Sequence, residues 1–124
     1  MKAIIVDDER PARAEQRTLL EEFPSIEICG EAENASAAAA LIGEVNPDLV
    51  FLDIQMPGKT GFELLEELSP PIPNVIFTTA YDEYAVQAFE VNALDYLMKP
   101  VNPKRLAAAI ERLEERQVVP ADSG

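Results

Sequence analysis

The stretch DLVFLD, residues 48–53, places four consecutive apolar residues before a carboxylate, Asp53. An unbroken apolar run of this length is typical of a strand that is buried on both faces of a parallel sheet. The Pro57-Gly58 pair that follows indicates a turn, and the next segment, GFELLEEL at residues 61–68, has helical periodicity. The stretch therefore predicts a buried strand that ends at Asp53 and is followed directly by a helix.

The same alternation of apolar strand-like segments and helical segments extends along the whole chain. It predicts a parallel sheet that is covered by helices on both faces and joined by right-handed crossovers. We expect an α/β fold of the flavodoxin-like (βα)5 type, with a five-stranded sheet in the order 2-1-3-4-5. The predicted strands are residues 2–6, 26–32, 48–53, 74–80 and 94–98. The predicted helices are residues 12–23, 35–45, 61–68, 82–92 and 103–117.

The length of 124 residues is near that of a single domain, and we expect this domain to comprise residues 1–117. Residues 118–124 carry Pro, Ser and Gly without periodicity, which is typical of a tail or the start of a linker. No apolar run approaches the roughly 18 to 20 residues that a membrane span needs. The N-terminus reaches Asp7 too early for a secretory signal, so we expect a cytoplasmic protein. Cys29 is the only cysteine and is expected to be a small buried residue.

The formal net charge of -13 argues against direct binding to nucleic-acid phosphates, which requires clustered lysine and arginine. The chain contains no histidine, which excludes the usual zinc sites, histidine general bases and a phosphohistidine relay on this chain. Any chemistry must therefore use carboxylates, hydroxyl groups and lysine.

Polar side chains follow the predicted strands at the edge where open α/β sheets bind ligands. Strands 1 and 3 are neighbours in the predicted order, so the carboxylates that follow them are expected to lie close together. The strand-end residues are Asp7, Asp8, Asp53, Thr78, Thr79 and Lys99.

Carboxylates packed together at this edge would repel each other, by about 4 kcal/mol for a pair 4 Å apart at an effective dielectric constant of 20. Protonation of one acid would relieve the repulsion, and so would a hard divalent cation such as Mg²⁺. A cation and the ammonium of Lys99 beside Asp53 would neutralise the oxygens of a phosphoryl group while Asp53 attacks phosphorus. The pattern favours Asp53 as a nucleophile that forms an aspartyl phosphate.

Four motifs, IIVDDE, VFLDIQMPGKTGFELL, FTTAY and DYLMKP, resemble those of the receiver domain of bacterial two-component response regulators. The similarity extends from residue 2 to about residue 116. The resemblance implies a phosphorylation-activated signalling switch that accepts a phosphoryl group from a sensor histidine kinase on Asp53. Such a domain is not an enzyme with a separate substrate, although it catalyses its own phosphorylation and dephosphorylation.

The resemblance also implies a metal site. Asp8 and Asp53 would bind Mg²⁺ directly, Asp7 would act mostly through a bound water, and the backbone carbonyl of Gln55 would complete the protein ligands. Mn²⁺ is expected as a substitute, since it accepts the same oxygen donors.

Further roles are implied for residues that follow strands 4 and 5. Thr79 would bond the phosphoryl group through its hydroxyl, Tyr96 would move inward with it, and Lys99 would pair with a phosphoryl oxygen. Thr79 is preferred over Thr78 because it immediately precedes an alanine, as in the family's motif. The Lys99–Pro100 peptide is expected to be cis. We further hypothesise that Gln55 and Tyr81 flank the path of a hydrolytic water and tune the lifetime of the phosphorylated state.

The stretch FTTAYDEYAVQAFEVNALDYLMKPV, residues 77–101, resembles receivers of the LytTR (LytR/AlgR-like) class, in which a DNA-binding domain follows the receiver. Contact with DNA is expected only through such a C-terminal domain, which this sequence lacks, and a stand-alone receiver is the alternative. Residues 82–113 are expected to form the signalling face, where a homodimer assembles after phosphorylation. Ala85, Ala88 and Phe89 are equally compatible with that face and with the core.

Two other functions fit parts of the pattern. Haloacid-dehalogenase-like phosphohydrolases also use an aspartate nucleophile and Mg²⁺, but they place a second aspartate two residues later, where this chain has Gln55. A degenerate receiver that binds a partner without phosphorylation is the third hypothesis, which the complete acidic set and Lys99 disfavour.

Overall fold

Strands and helices alternate along the computed structural model, which describes residues 1–117. The predicted tail or linker at residues 118–124 lies outside the described residues. The strands β1 to β5 are Lys2–Val6, Glu27–Ala32, Leu49–Asp53, Asn74–Thr79 and Asp95–Met98. The helices α1 to α5 are Arg10–Leu20, Ala35–Val45, Gly61–Glu67, Ala85–Glu90 and Pro103–Gln117. Within residues 1–117, no helix combines the length and apolar character that crossing a membrane would require.

The five strands form one parallel sheet in the order β2-β1-β3-β4-β5, which confirms the predicted flavodoxin-like fold. The register pairs Val6 with Leu52 and Asp53 with Thr78. Residues that follow β1, β3 and β4 therefore reach the same edge of the sheet. Cys29 lies on the edge strand β2 and is only partly buried, because that strand has a neighbour on one side only.

Strand β3 is buried along its whole length, as its apolar sequence predicts. Successive side chains of a strand point to opposite faces, so Leu49 and Phe51 join one core cluster while Val50 and Leu52 join the other. Helices α1 and α5 contribute to the first cluster, and α2, α3 and α4 contribute to the second. The sheet is thus covered on both faces, which leaves its carboxyl edge as the place for a site.

Helix α3 begins directly against the end of β3. Thr60 and Glu63 form a capping box, in which the Glu63 amide donates to Thr60 Oγ1 at 3.2 Å and the Thr60 amide donates to Glu63 Oε1 at 2.8 Å. A Cβ atom at Gly61 would lie 2.7 Å from the backbone oxygen of Asp53. Glycine at this position therefore allows the first turn of α3 to approach the strand that carries Asp53.

The predicted bounds of the first helix, residues 12–23, are wrong at both ends. Helix α1 begins at Arg10 because Pro11 fits its first turn, where a missing amide hydrogen costs nothing. It ends at Leu20, since Phe23 precedes a proline and such residues disfavour helical backbone angles. The amide of Phe23 instead donates to the Leu20 carbonyl at 2.9 Å in a closing turn.

The predicted helix at residues 82–92 is also too long, because α4 comprises only Ala85–Glu90. Tyr84 at its N-cap makes no side-chain cap, and Asn92 adopts a left-handed backbone angle, with φ of 60°, that a helix cannot continue through. Ala88 is buried against the sheet, whereas Phe89 is 83% exposed. The remaining predicted bounds agree with the structure to within one residue at either end.

Candidate functional site

Three carboxylates meet at the carboxyl edge of the sheet. Asp7 and Asp8 directly follow β1, Asp53 ends the neighbouring β3, and one oxygen from each lies within 4.8 Å of the others. Asp7 is fully buried and Asp53 is 4% exposed, whereas Asp8 is open to solvent. The sheet order thus brings together the three acidic residues that the sequence predicts for the site.

Each polar atom of Asp7 has a hydrogen-bond partner. Its amide donates to the Ala32 carbonyl at 3.0 Å, and its carbonyl accepts from Arg13 Nη1 at 2.5 Å. Its carboxylate accepts from the Glu9 amide at 2.9 Å and from Lys99 Nζ at 2.6 Å. These four bonds hold the position of Asp7 from the backbone and the side chain alike.

Lys99 follows β5 and extends its ammonium into the acidic cluster. The nitrogen lies 2.6 Å from Asp7 Oδ2 and 3.6 Å from Asp53 Oδ2. Burial alone would lower the pKa of Lys99, but the hydrogen bond with Asp7 and the charges of Asp53 and Asp7 outweigh it and raise the pKa. Lys99 therefore remains positively charged beside both carboxylates.

Asp53 has an unusual pKa for an aspartate. The pKa of its carboxyl group is raised to about 7. Burial is the largest cause, and the nearby charges of Asp7 and Asp8 act in the same direction, while Lys99 and the amide of Gln55 oppose them. Near neutral pH the carboxyl group is thus close to its titration midpoint in the absence of a cation. A divalent cation would favour the ionised form, as positive charge next to a carboxylate does.

The acidic cluster fits a hard divalent cation. Its donors are carboxylate oxygens, which Mg²⁺ and Mn²⁺ prefer, and the exposed side of Asp8 leaves room for the waters that Mg²⁺ retains. Gln55 lies in the loop that follows Asp53, and its amide donates to Asp53 Oδ1 at 3.3 Å. The chemistry of the donors is therefore consistent with a Mg²⁺ site.

The two threonines at the end of β4 occupy different environments. Thr79 is fully buried, and its Oγ1 accepts a hydrogen bond from the Tyr81 amide at 3.3 Å. Thr78 Oγ1 is buried without a hydrogen-bond partner among residues 1–117, in a small cavity that is also lined by Gln16 and Phe51. Adjacent strand residues face opposite sides of a sheet, so only one of the two threonines can serve a given face.

Two tyrosines connect the loops around the site. The Tyr96 hydroxyl donates to the backbone carbonyl of Tyr81, and the Gln55 side-chain amide donates to the Tyr84 hydroxyl. Burial raises the pKa of Tyr96. Tyr96 thus bonds to the loop between β4 and α4 in this structure.

The Lys99–Pro100 peptide, which follows β5, is cis, as the family resemblance predicts.

Arg13 and Tyr84 contact the site but are absent from the sequence-based prediction. Arg13 bonds the Asp7 carbonyl from α1, and Tyr84 bonds Gln55 from the start of α4. Arg13 lies outside the quoted motifs, and Tyr84 lies within residues 77–101 without having been singled out there. An arginine or tyrosine on a helix surface carries no local signal of such a contact. Only the docking of α1 and α4 on the sheet brings these side chains to the site.

A comparison with models of protein families matches residues 3–111 to the response regulator receiver domain. The chain belongs to this family. As a receiver domain of the two-component response regulator family, it carries its acidic cluster and lysine at the edge of the sheet that the topology makes available.

Relatives of known sequence and structure agree with this membership. The chain is 52% identical to a response regulatory protein of Vibrio parahaemolyticus, over 93% of this chain and 48% of that protein. It is 46% identical to the transcriptional regulatory protein BtsR of Salmonella typhi, over 94% of this chain and 49% of that protein. The response regulatory domain of mrkE from Klebsiella pneumoniae superposes with a TM-score of 0.84 at 32% identity, covering 94% of this chain and 97% of that one. The receiver domain therefore spans about half the length of the curated relatives it matches.

Proposed function

We propose that this receiver domain is a phosphorylation switch in which Asp53 accepts a phosphoryl group from a sensor histidine kinase. The main support for the proposal is that Asp53 lies close to Asp7, Asp8 and Lys99 at one edge of the sheet. An Asp53 oxygen forms the new bond to phosphorus as the bond from phosphorus to the kinase imidazole breaks. The bond electrons return to the imidazole nitrogen, so the phosphoryl group moves without oxidation or reduction.

We assign the metal site to Asp8 and Asp53 as direct ligands, with Asp7 acting through water and the Gln55 carbonyl completing the set. Mg²⁺, or Mn²⁺ in its place, would neutralise charge that develops on the phosphoryl oxygens during transfer. In support, the three carboxylates offer only oxygen donors within 4.8 Å of one another. Asp7 is held by backbone and Lys99 hydrogen bonds, which suits a residue that orients a water rather than one that must rearrange.

The switch is assigned to Lys99, Thr79 and Tyr96. A phosphoryl group adds about -1.5 to -2 charges, and Lys99 is already 3.6 Å from Asp53 Oδ2, so it needs only a short movement to bond a phosphoryl oxygen. Thr79 exchanges its bond with the Tyr81 amide for one with the phosphoryl group. Tyr96 then leaves the Tyr81 carbonyl and moves inward, which changes the surface of α4 and β5.

The receiver domain would catalyse its own phosphorylation and dephosphorylation. Gln55 and Tyr81 follow Asp53 and Thr79 by two residues and are proposed to limit the access of a hydrolytic water to the phosphoryl group. The bond from Gln55 to Tyr84 holds the Gln55 side chain beside the cluster. We expect Gln55→Ala to change the rate of phosphate release more than a substitution of Lys59, an exposed residue of the same loop.

The output of the switch is proposed from the relatives. BtsR is named a transcriptional regulatory protein, and the match covers about half of its length. We therefore propose that residues 118–124 begin a linker to a DNA-binding domain of the LytTR class. The surface of α4, β5 and α5 would form a homodimer after phosphorylation. Val86 and Phe89, which are 72% and 83% exposed on α4, provide apolar area for it.

The test is the intact mass of the protein after incubation with Mg²⁺ and acetyl phosphate. We expect a gain of one phosphoryl group that requires Mg²⁺ and is absent in Asp53→Asn. Asp48→Asn, which makes the same change just before the other end of β3, is the matched control and should be labelled like the wild type. Absence of labelling while Mg²⁺ binds would contradict the proposal and favour a receiver that binds its partner without phosphorylation. Turnover of added phosphate esters would instead favour a phosphohydrolase.

A further inference from the structure

We propose that Arg13 is a positioning residue for the metal site, which it controls by holding the peptide group between Asp7 and Asp8. The inference rests on the proposed function of the acidic cluster and adds to it a residue of α1. It follows from the contacts of Arg13, from the rigidity of the peptide group and from the location of Asp8 in the cluster.

The Arg13 guanidinium connects three elements of the fold. Its Nη1 donates to the Asp7 carbonyl at 2.5 Å, and its Nε donates to Glu31 Oε1 on β2 at 2.9 Å. Only 12% of the Arg13 side chain is exposed. Arg17, one helical turn further on, also bonds Glu31. The hydrogen bond from Arg17 is the largest cause of a lowered Glu31 pKa, and Arg13 adds to it, while burial opposes both. Arg13 therefore has an ionised partner on one side and the Asp7 carbonyl on the other.

The orientation of the Asp7 carbonyl determines where Asp8 lies. The peptide bond is planar, so the Asp7 carbonyl and the amide of Asp8 turn together as one rigid group. Asp7 is buried, and its amide and both carboxylate oxygens are hydrogen-bonded. Its carbonyl is the one remaining polar group, and Arg13 holds it. Asp8, the exposed member of the cluster, receives its position from this peptide.

The charge of Arg13 and its positioning role have opposite effects on cation binding. Removal of a positive charge near the acidic cluster would strengthen the binding of a divalent cation by Coulomb's law. Loss of the bond to the Asp7 carbonyl would let the Asp8 peptide rotate and would weaken binding, as the loss of groups that orient metal ligands does. The sign of the change in affinity therefore separates the two effects.

Arg17 provides the matched control. It lies on the same helix and bonds the same Glu31 carboxylate, so Arg17→Met removes the same charge but keeps the bond to the Asp7 carbonyl. The experiment titrates wild type, Arg13→Met and Arg17→Met with Mn²⁺ at one ionic strength, without a phosphodonor, and measures free Mn²⁺ by electron paramagnetic resonance. We expect Arg13→Met to bind about 10-fold more weakly than wild type. Arg17→Met should bind as tightly as wild type or slightly more tightly.

A second measurement uses the metal-free protein. The Glu9 amide donates to Asp7 Oδ1, so its hydrogen exchange reports on the turn that carries Asp8. We expect faster exchange of this amide in Arg13→Met than in Arg17→Met at equal global stability. Arg13→Lys keeps the charge but has one ammonium in place of the fork, and it should share the weaker Mn²⁺ binding; it also serves as the test if Arg13→Met does not fold.

The possible results distinguish a failure of the positioning role of Arg13 from a failure of the metal site. Equal or tighter Mn²⁺ binding by Arg13→Met relative to Arg17→Met would overturn the positioning role while leaving the metal site intact. No Mn²⁺ binding by the wild type would overturn the metal site itself, and the role of Arg13 with it. Weaker binding by Arg13→Met and Arg13→Lys, but not by Arg17→Met, would support both.

Discussion

Lys99 donates a hydrogen bond to Asp7 Oδ2 at 2.6 Å. Its ammonium is farther from Asp53, at 3.6 Å from Oδ2. The lysine therefore neutralises the fully buried Asp7 by a direct hydrogen bond and lies only within ion-pair distance of Asp53.

Lys99→Met should destabilise the metal-free protein at pH 7, by about 3 kcal/mol, because it leaves the buried Asp7 carboxylate without its cation. The same substitution should increase the affinity for Mg²⁺, since one positive charge leaves the cluster. Urea unfolding in the presence of a chelator measures the first effect, and calorimetric titration measures the second. Lys59→Met removes an exposed ion pair with Glu67 and should cost less than about 1 kcal/mol. Equal losses in the two variants would contradict this prediction.

The stability of the metal-free protein should fall as pH rises from about 4 to about 7. The Asp53 pKa is raised from 3.8 to about 7, so in this range the folded state binds more protons than the unfolded state. The contribution is fully present below the unfolded value and is lost as pH rises through the folded one. It amounts to at most about 4 kcal/mol at 1.4 kcal/mol for each pKa unit.

Asp53→Asn isolates this contribution because the amide does not titrate. Urea unfolding of both proteins across this range should give curves that diverge, with the variant the more stable of the two above pH 7. Parallel curves would show that the Asp53 pKa lies near its ordinary value. Added Mg²⁺ should reduce the difference at high pH, since cation binding favours the carboxylate of the wild type.

Thr79→Val and Thr78→Val make the same change in neighbouring residues, but they should differ in stability and in the response of Tyr96 to phosphorylation. Thr79→Val removes the acceptor of the Tyr81 amide and should cost about 1 kcal/mol of stability. Thr78 Oγ1 has no partner within residues 1–117, so its replacement by a methyl group should be neutral or stabilising. After labelling with acetyl phosphate, the nuclear magnetic resonance signals of Tyr96 should shift in Thr78→Val but not in Thr79→Val. The same shift in both variants would argue against a switch that passes through Thr79.

Gly61→Ala should destabilise the protein by about 1 to 3 kcal/mol, because the added Cβ would meet the Asp53 backbone oxygen at 2.7 Å. Gly43→Ala is the control within α2, where a Cβ meets no atom within 4 Å. It should stabilise the protein by about 0.5 to 1 kcal/mol, as alanine does in a helix interior. Thermal unfolding measures both, and a neutral Gly61→Ala would show that α3 can move away from β3.

Phe89→Ser should prevent the homodimer proposed for the phosphorylated protein without reducing the labelling of Asp53. Phe89 is 83% exposed on α4, so its replacement should hardly affect the folded monomer. Light scattering after size-exclusion chromatography, with and without acetyl phosphate, measures the assembly. Ile72→Ser, at a residue that is 45% exposed between α3 and β4, is the control and should still dimerise. Loss of the dimer in both variants would place the interface elsewhere.

Much of the fold could be predicted because its signals are local. The apolar run before Asp53 marks a buried strand, and the helical periodicity of residues 61–68 after the Pro57-Gly58 turn marks the helix that follows. The ends of α1 and α4 were predicted less accurately from the sequence, because they depend on turns and not on hydrophobic periodicity. Phe23 leaves the helix under the constraint of the following proline, and Asn92 adopts a left-handed angle.

The candidate site likewise has features that are local in the sequence and contacts that depend on tertiary structure. The sequence alone determined the βα alternation and the identity of the strand-end residues, because apolar periodicity and chain order are local properties. Only the tertiary structure decided that Lys99 bonds Asp7 more closely than Asp53, and that Arg13 reaches the Asp7 carbonyl. Lys99 is 92 residues from Asp7 in the sequence, and Arg13 reaches that carbonyl from a separate helix. Such contacts depend on how helices and side chains pack against the sheet, which local sequence patterns do not encode.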